Sequence, residues 1–345
     1  MSAGRVAPVG AGRVAERLTA ALHQLFADDP RLFLLGQDVL DPYGGAFGIT
    51  RGLSTRYPDR VLATPISEGA MSGVAAGLAL AGDRVLVEVM FGDFVTLCFD
   101  QIVNFAAKSV TMYGQRLPIA MVVRCPVGGN RGYGPTHSQN LQKHFLGVPG
   151  LALYELSAFH DPLDVFTEMF ARREPCIFFE DKVLYTTPAA RDGAADDLFR
   201  YELLPGAGTW ARVSIMDGGR PDQLLIAPGG VAPRALAAMR QAFVEDECVT
   251  ELLVPARLYP ADVGPVLPLT SGVRRIVVVE DGVAGGGWGN EIAAHLHDRL
   301  WGVLPEPVRL VRPDCGVIPA APHLERRFLV QDETIRAALR GESHG

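Results

Sequence analysis

The sequence predicts an α/β protein of two domains, the first built on a parallel sheet. Three observations predict it. Short, continuously apolar runs alternate with helical patterns, which is how strands covered on both faces read. The length of 345 residues favours two domains over one. Residues 186–208 lose all periodicity in a stretch rich in Pro, Gly, Ala and Asp, which marks a linker. The expected division is a domain over 1–185, a linker over 186–208 and a second α/β domain over 209–345.

In chain order, the first domain is expected to hold strands at Arg31–Leu35, Arg84–Met90, Leu117–Arg124, Leu151–Glu155 and Cys176–Glu180. Helices are expected at Val14–Phe26, Gly69–Ala81, Phe99–Tyr113 and Pro162–Arg172. The second domain offers strands at Gln223–Ala227, Val249–Val254, Arg275–Glu280 and Val308–Val311, with helices at Pro233–Val244 and Trp288–Leu300.

Bulk properties narrow the function. Hydrophobic residues make up 48% and charged residues 21%, ordinary for a globular protein. A net charge of −7 argues against sequence-independent nucleic-acid binding, which needs a basic face. No run approaches the ~18 apolar residues of a membrane span, and the N-terminus lacks a signal-like apolar core. The five cysteines, Cys98, Cys125, Cys176, Cys248 and Cys315, are scattered without a CxxC pair. They read as reduced, buried thiols in a cytoplasmic protein.

Several chemistries fail on spacing. Arg275–Glu280 leads into Gly285-Gly286-Gly287-Trp288-Gly289-Asn290 and a helix, the context of a dinucleotide site, yet Asn290 stands where the third glycine belongs. A tight turn packing against a neighbouring chain is the better reading. His295 and His297 are two apart and face different sides of a helix. No GxSxG elbow and no Walker sequence occurs.

Glu68 and His137 remain. Glu68 opens a segment in which Gly69, Gly73 and Gly77 recur at every fourth position. Each glycine costs a helix about 1 kcal/mol relative to alanine, so close approach of a backbone or a ligand is expected along that stripe. An acid there could also simply cap the helix. His137 follows a glycine-rich stretch, in Pro135-Thr136-His137-Ser138-Gln139.

Ordered motifs over residues 12–325 then resemble a known family. They are Leu34-Leu35-Gly36-Gln37-Asp38-Val39, Tyr43-Gly44-Gly45-Ala46-Phe47, Thr64-Pro65-Ile66-Ser67-Glu68 and Phe91-Gly92-Asp93-Phe94. Asp100-Gln101-Ile102-Val103-Asn104, His137-Ser138-Gln139, Val148-Pro149-Gly150-Leu151 and Gly286-Gly287-Trp288-Gly289-Asn290-Glu291 complete the set. The chain resembles the beta subunit of the thiamine-diphosphate-dependent decarboxylase component of 2-oxo acid dehydrogenases, a transketolase-like group that includes the pyruvate, branched-chain and acetoin enzymes.

The resemblance implies a pyrimidine-binding N-terminal domain and a transketolase-like C-terminal domain. Glu68 corresponds to the glutamate that hydrogen-bonds a pyrimidine ring nitrogen, and sharing that proton activates the cofactor. Phe94 corresponds to the aromatic residue beside the pyrimidine, and Ile66 belongs to the same cofactor-binding stretch. His137 corresponds to the histidine that orients substrate and assists acyl transfer. The family holds the diphosphate through Mg²⁺ with a Gly-Asp-Gly motif and a later asparagine. Here the nearest matches are Gly82-Asp83-Arg84 and Gly92-Asp93-Phe94, each lacking the final glycine. The resemblance therefore implies an alpha subunit that carries Gly-Asp-Gly and the Mg²⁺, in an alpha2-beta2 heterotetramer. A structural K⁺, a 2-oxo acid substrate and a lipoyl acyltransferase partner are implied with it.

The chain departs from the family at Gln37, where glutamate is usual, and at Val254-Pro255-Ala256-Arg257-Leu258, where Asp-Leu-Arg-Thr-Leu is usual. Two other readings stay open: an acyloin-forming ligase or specialised acyl transferase subunit, and a non-catalytic scaffold. Retention of Glu68, Phe94 and His137 favours the enzyme.

Overall fold

The computed structural model describes residues 12–205, 210–216 and 219–342. Residues 206–208 of the expected linker, and 1–11 of the expected first domain, lie outside the described residues.

In chain order the first half contains α1 (Val14–Asp28), β1 (Leu32–Gly36), α2 (Leu53–Arg56), β2 (Val61–Ala63), α3 (Glu68–Leu80), β3 (Arg84–Glu88) and α4 (Ala107–Ser109). It continues with β4 (Met121–Val127), β5 (Ala152–Glu155), α5 (Pro162–Arg172) and β6 (Cys176–Asp181). The second half contains β7 (Phe199–Leu203), β8 (Trp210–Ile215), β9 (Gln223–Ile226), α6 (Ala232–Asp246), β10 (Thr250–Pro255) and β11 (Arg257–Tyr259). After these come β12 (Arg275–Val279), α7 (Trp288–Leu300), β13 (Arg309–Val311), α8 (Pro322–Phe328) and α9 (Asp332–Arg340).

The first sheet runs β11-β5-β6-β4-β3-β1-β2. All its pairings are parallel except β11 on β5. Its central strands β4 and β6 are buried at every position, as the unbroken apolar runs require. Local signals set the helix ends. Asp161 accepts the Leu163 amide at 2.8 Å ahead of Pro162, a start that combines a side-chain cap with proline in the first turn. Arg173 ends the same helix in the left-handed region at φ 55°.

The second sheet runs β13-β12-β9-β10-β8-β7, parallel through β10 and antiparallel at β8 and β7. Its strand β7 lies inside 186–208, so part of the expected linker is an edge strand. β7 is short and mostly exposed, which left no apolar run to mark it. β8, β11, α8 and α9 also carry no expectation from the sequence.

One core layer is continuous across both halves. It joins Leu35, Met71, Ala75 and Val123 to Trp210, Leu224, Leu258, Trp288 and Ile292. The outer faces of the two sheets have cores of their own. Gly229 packs so closely on the Leu156 carbonyl that a Cβ has no room. The halves therefore share a packed interior rather than a hinge.

A correction falls between Phe91 and Tyr113. A single helix over Phe99–Tyr113 is expected; the chain instead forms tight 3₁₀ turns at Gly92–Cys98, wide π-type turns at Gln101–Ala106, and the single turn α4. Cys98, Ile102 and Ala106 are buried at intervals of four. The apolar row of the expected helix is kept, but the chain winds more tightly than an α-helix before Phe99 and more widely after Gln101. The cysteine expectation also needs correction: Cys98, Cys125 and Cys176 are buried, but Cys248 is half-buried and Cys315 exposed. Among the described residues no helix is long and apolar enough to cross a membrane.

Candidate active site

Parallel strands deliver their following loops to one sheet edge, where α/β proteins bind ligands. Gln37 follows β1, Glu68 follows β2, the Phe91–Phe94 segment follows β3, the loop 128–139 follows β4, and Lys182 follows β6.

Glu68 is 7% exposed, in the first turn of α3. Its Oε1 accepts the Gln37 amide at 3.2 Å, so the carboxyl group is turned toward the end of β1. Its backbone carbonyl accepts the Ser72 hydroxyl and, at 3.5 Å, the Cys98 thiol. The glycine stripe finds part of its reason here. A Cβ at Gly69 would stand 3.3 Å from the Leu97 carbonyl, and one at Gly73 would stand 3.2 Å from the Gln101 side chain. A Cβ at Gly77 would meet nothing within 4 Å among the described residues, so close approach is not seen for the third member. Ile66, two residues before Glu68, is 83% exposed.

Phe94 and His137 meet directly, with ring centroids 5.3 Å apart at 88°. His137 also stands edge-on to Phe91 at 4.7 Å. Phe91 in turn contacts Phe47 at 6.1 Å and Tyr133 at 6.1 Å. His137 Nδ1 lies 3.0 Å from the Thr136 hydroxyl. Behind this wall, the buried Lys182 ammonium lies 5.6 Å from the Phe91 ring centroid, with no hydrogen-bond partner among the described residues. Burial pushes its pKa down to about 8.

Beneath the wall lies a network that sequence reasoning missed. Arg124 is fully buried between Glu88 and Glu180, bonding Glu180 through Nε at 2.8 Å and pairing with both acids. Glu88 Oε1 accepts the Ala46 amide at 2.6 Å, and Tyr185 donates to Glu180 at 2.6 Å. Desolvation pushes the Glu88 carboxyl up to about 7, against the pull of Arg124. The signal was present: Glu88, Arg124 and Glu180 stand in or at the end of apolar runs on three adjacent strands. The network pins Ala46 and Tyr185, which flank Phe47, whose ring lies 5.2 Å from that of Tyr185.

The two incomplete Gly-Asp motifs are otherwise engaged. Asp83 sits in the turn after α3, its amide bonded to the Leu78 carbonyl. Asp93 accepts the Gln139 amide at 2.7 Å. Among the described residues no three His, Cys, Asp or Glu side chains are grouped to hold a metal. Of the two histidines on α7, half-buried His295 lies against Glu291 at 3.1 Å, and exposed His297 lies against the Trp301 ring. The glycine turn before α7 brings the Gly289 amide onto Glu280 at 3.0 Å.

The family described as the transketolase pyrimidine-binding domain matches residues 13–188, and the transketolase C-terminal domain matches residues 213–335. The chain belongs to the transketolase family. Within it, the chain is 31% identical to the beta subunit of acetoin:2,6-dichlorophenolindophenol oxidoreductase from Cupriavidus necator, over 95% of this chain and 96% of that one. It is also 31% identical to the pyruvate dehydrogenase E1 component subunit beta of Leifsonia xyli subsp. xyli, over 84% and 83%. A solved split-gene transketolase, described as an inactive beta4 tetramer, superposes with a TM-score of 0.71 at 17% identity, covering 96% of this chain and 98% of that one. That likeness concerns the fold. The sequence relatives place this transketolase-family chain among the beta subunits of the 2-oxo acid dehydrogenase type.

Proposed function

We propose that this chain supplies the pyrimidine-binding half of a thiamine diphosphate site in a heteromeric 2-oxo acid decarboxylase, and that an alpha subunit with Gly-Asp-Gly supplies the Mg²⁺-diphosphate half. The observation that carries the reading is the pairing of buried Glu68, held by Gln37, with the half-buried rings of Phe94 and His137 at one sheet edge. These residues suit an aminopyrimidine: a carboxyl for a ring nitrogen, and an aromatic wall for its face.

When bound, thiamine diphosphate supplies the electron sink for loss of CO₂. Glu68 would share a proton with the pyrimidine nitrogen, its Oε1 held by the Gln37 amide. Phe94 would stand beside the ring, and Ile66, exposed in this chain by itself, would belong to the same cofactor-binding stretch. His137 orients the 2-oxo acid and serves the later acyl transfer, with lipoamide on a lipoyl acyltransferase as acceptor. Because Gln37 is an amide, Glu68 has no second carboxyl beside it there, and an acidic relay through this position is absent.

Calorimetry tests the split site. The isolated chain takes up negligible thiamine diphosphate, and the mixture with its alpha subunit binds it in the presence of Mg²⁺. Micromolar binding by the isolated chain would defeat the proposal.

A further inference from the structure

The loop that carries His137 cannot hold its own shape. Residues 128–139 include Gly128, Gly129, Gly132 and Gly134, and Gly128, Asn130, Gly132 and Gly134 all have positive φ. Such a segment loses much conformational freedom on ordering. Its internal backbone bonds are few: Gly128 to the Gln139 carbonyl and His137 to the Gly134 carbonyl, both at 3.3 Å. Other parts of the chain must fix it. From the first half, Asp93 holds Gln139, and the Lys182 carbonyl accepts Arg131 at 2.6 Å.

The remaining ties come from the far end of the chain. Glu325, in α8, is 2% exposed, and its Oε2 accepts the Gly132 amide at 2.9 Å. Its Oε1 has no hydrogen-bond partner among the described residues. Gln331 donates to Asn130 at 3.3 Å. Leu329 packs on Gly129 so closely that a Cβ would collide with it, and a Cβ at Gly132 would meet the Ala320 carbonyl and Pro322, each at 3.6 Å. A buried carboxyl group is costly unless it is hydrogen-bonded, and the bond Glu325 makes is to this loop. The tie falls next to Tyr133, whose ring meets Phe91, the ring that also meets His137.

We propose that Glu325 is a positioning residue for the reaction: through the Gly132 amide it fixes the loop so that Tyr133 and His137 stand against Phe91 and Phe94. The proposal rests on the reading of His137 given above, but its structural half does not.

The test has two arms. In the full chain, hydrogen–deuterium exchange is followed at residues 130–137, with strand 84–88 as internal reference. Glu325→Ala raises exchange in the loop about tenfold, as expected for loss of one buried hydrogen bond, and leaves the strand unchanged. Glu325→Gln, whose amide oxygen can still accept from Gly132, stays within about twofold of the parent. Unchanged loop exchange in Glu325→Ala overturns the proposal, and so does an equal rise in loop and strand. If Glu325→Ala does not fold, Leu329→Ala uncovers Gly129 from the same segment, and a quiet loop there overturns it as well.

In the alpha–beta complex, Glu325→Ala lowers kcat for acyl transfer about tenfold while thiamine diphosphate affinity holds, and Glu325→Gln restores it. Loss of activity in His137→Ala but not in Glu325→Ala overturns the positioning role. A loosened loop with full activity in both variants defeats the His137 reading and leaves the tie itself supported.

Discussion

Glu68 and His137 serve one sheet edge from opposite kinds of mount. Glu68 rides the first turn of α3, a regular helix whose buried face of Met71, Ser72, Ala75, Ala76 and Ala79 is packed into the common core. His137 rides a loop of glycines whose shape is imposed by Asp93, Lys182 and Glu325, the last nearly 190 residues further along the chain. A group that must meet one fixed atom gains from a helix. A group that must meet a substrate that arrives and leaves gains from a loop whose ties can be adjusted. The difference predicts that faults at Glu68 abolish chemistry without loosening structure, while faults around His137 spread along the loop.

The largest effect belongs to the helix mount. Glu68→Gln keeps the shape and removes the shared proton, so turnover of the alpha–beta complex falls about 10²–10⁴-fold, with unchanged thermal stability. Hydrogen–deuterium exchange at the cofactor's thiazolium carbon slows in step. Normal exchange would return Glu68 to the role of helix cap and erase the comparison.

The floor beneath both mounts comes next. Arg124→Met leaves Glu88 and Glu180 buried without their guanidinium, and costs about 3–5 kcal/mol in denaturant unfolding. The deficit grows with rising pH. Glu88 is already held up at about 7 by burial with Arg124 present, so in the variant the folded state keeps its proton still more strongly than the unfolded chain. Stability contributed by that proton is full below the ordinary glutamate range and is lost as pH climbs past 7. A pH-independent deficit would remove Glu88 from the account.

The loop mount gives the smallest and most divided effect. His137→Ala leaves cofactor affinity intact and lowers acyl transfer to the natural acceptor by about 10²-fold. Decarboxylation read with an artificial electron acceptor falls less. Equal losses in both assays would place His137 before the steps diverge, and would make the two mounts alike in function.

Much of this arrangement was legible in the residues. Unbroken apolar runs announced β6 and the first part of β4, a helical pattern announced α5, and the acid at the head of a glycine–alanine stretch announced the helix under Glu68. Local patterns carry such information because they are local. What escaped was set by partners remote in sequence. The wide turns after Phe99 answer to the core they face, not to their own propensities. The network of Glu88, Arg124 and Glu180 appears only once three strands lie side by side in register. The support of the His137 loop by α8 joins the first half of the chain to the far end of the second, and no spacing rule reaches that far.

The strand β11 has a consequence for how the gene could be divided. Arg257–Tyr259 belong to the second half by sequence, yet they close the edge of the first sheet against Leu153 and Tyr154. A cut anywhere in 186–208 would yield two polypeptides, one with β5 as a bare edge and the other with an orphaned ribbon that fits it. Fission would thus create a complementing pair held by strand addition, and expression of the leading fragment alone would offer that edge to any other extended chain.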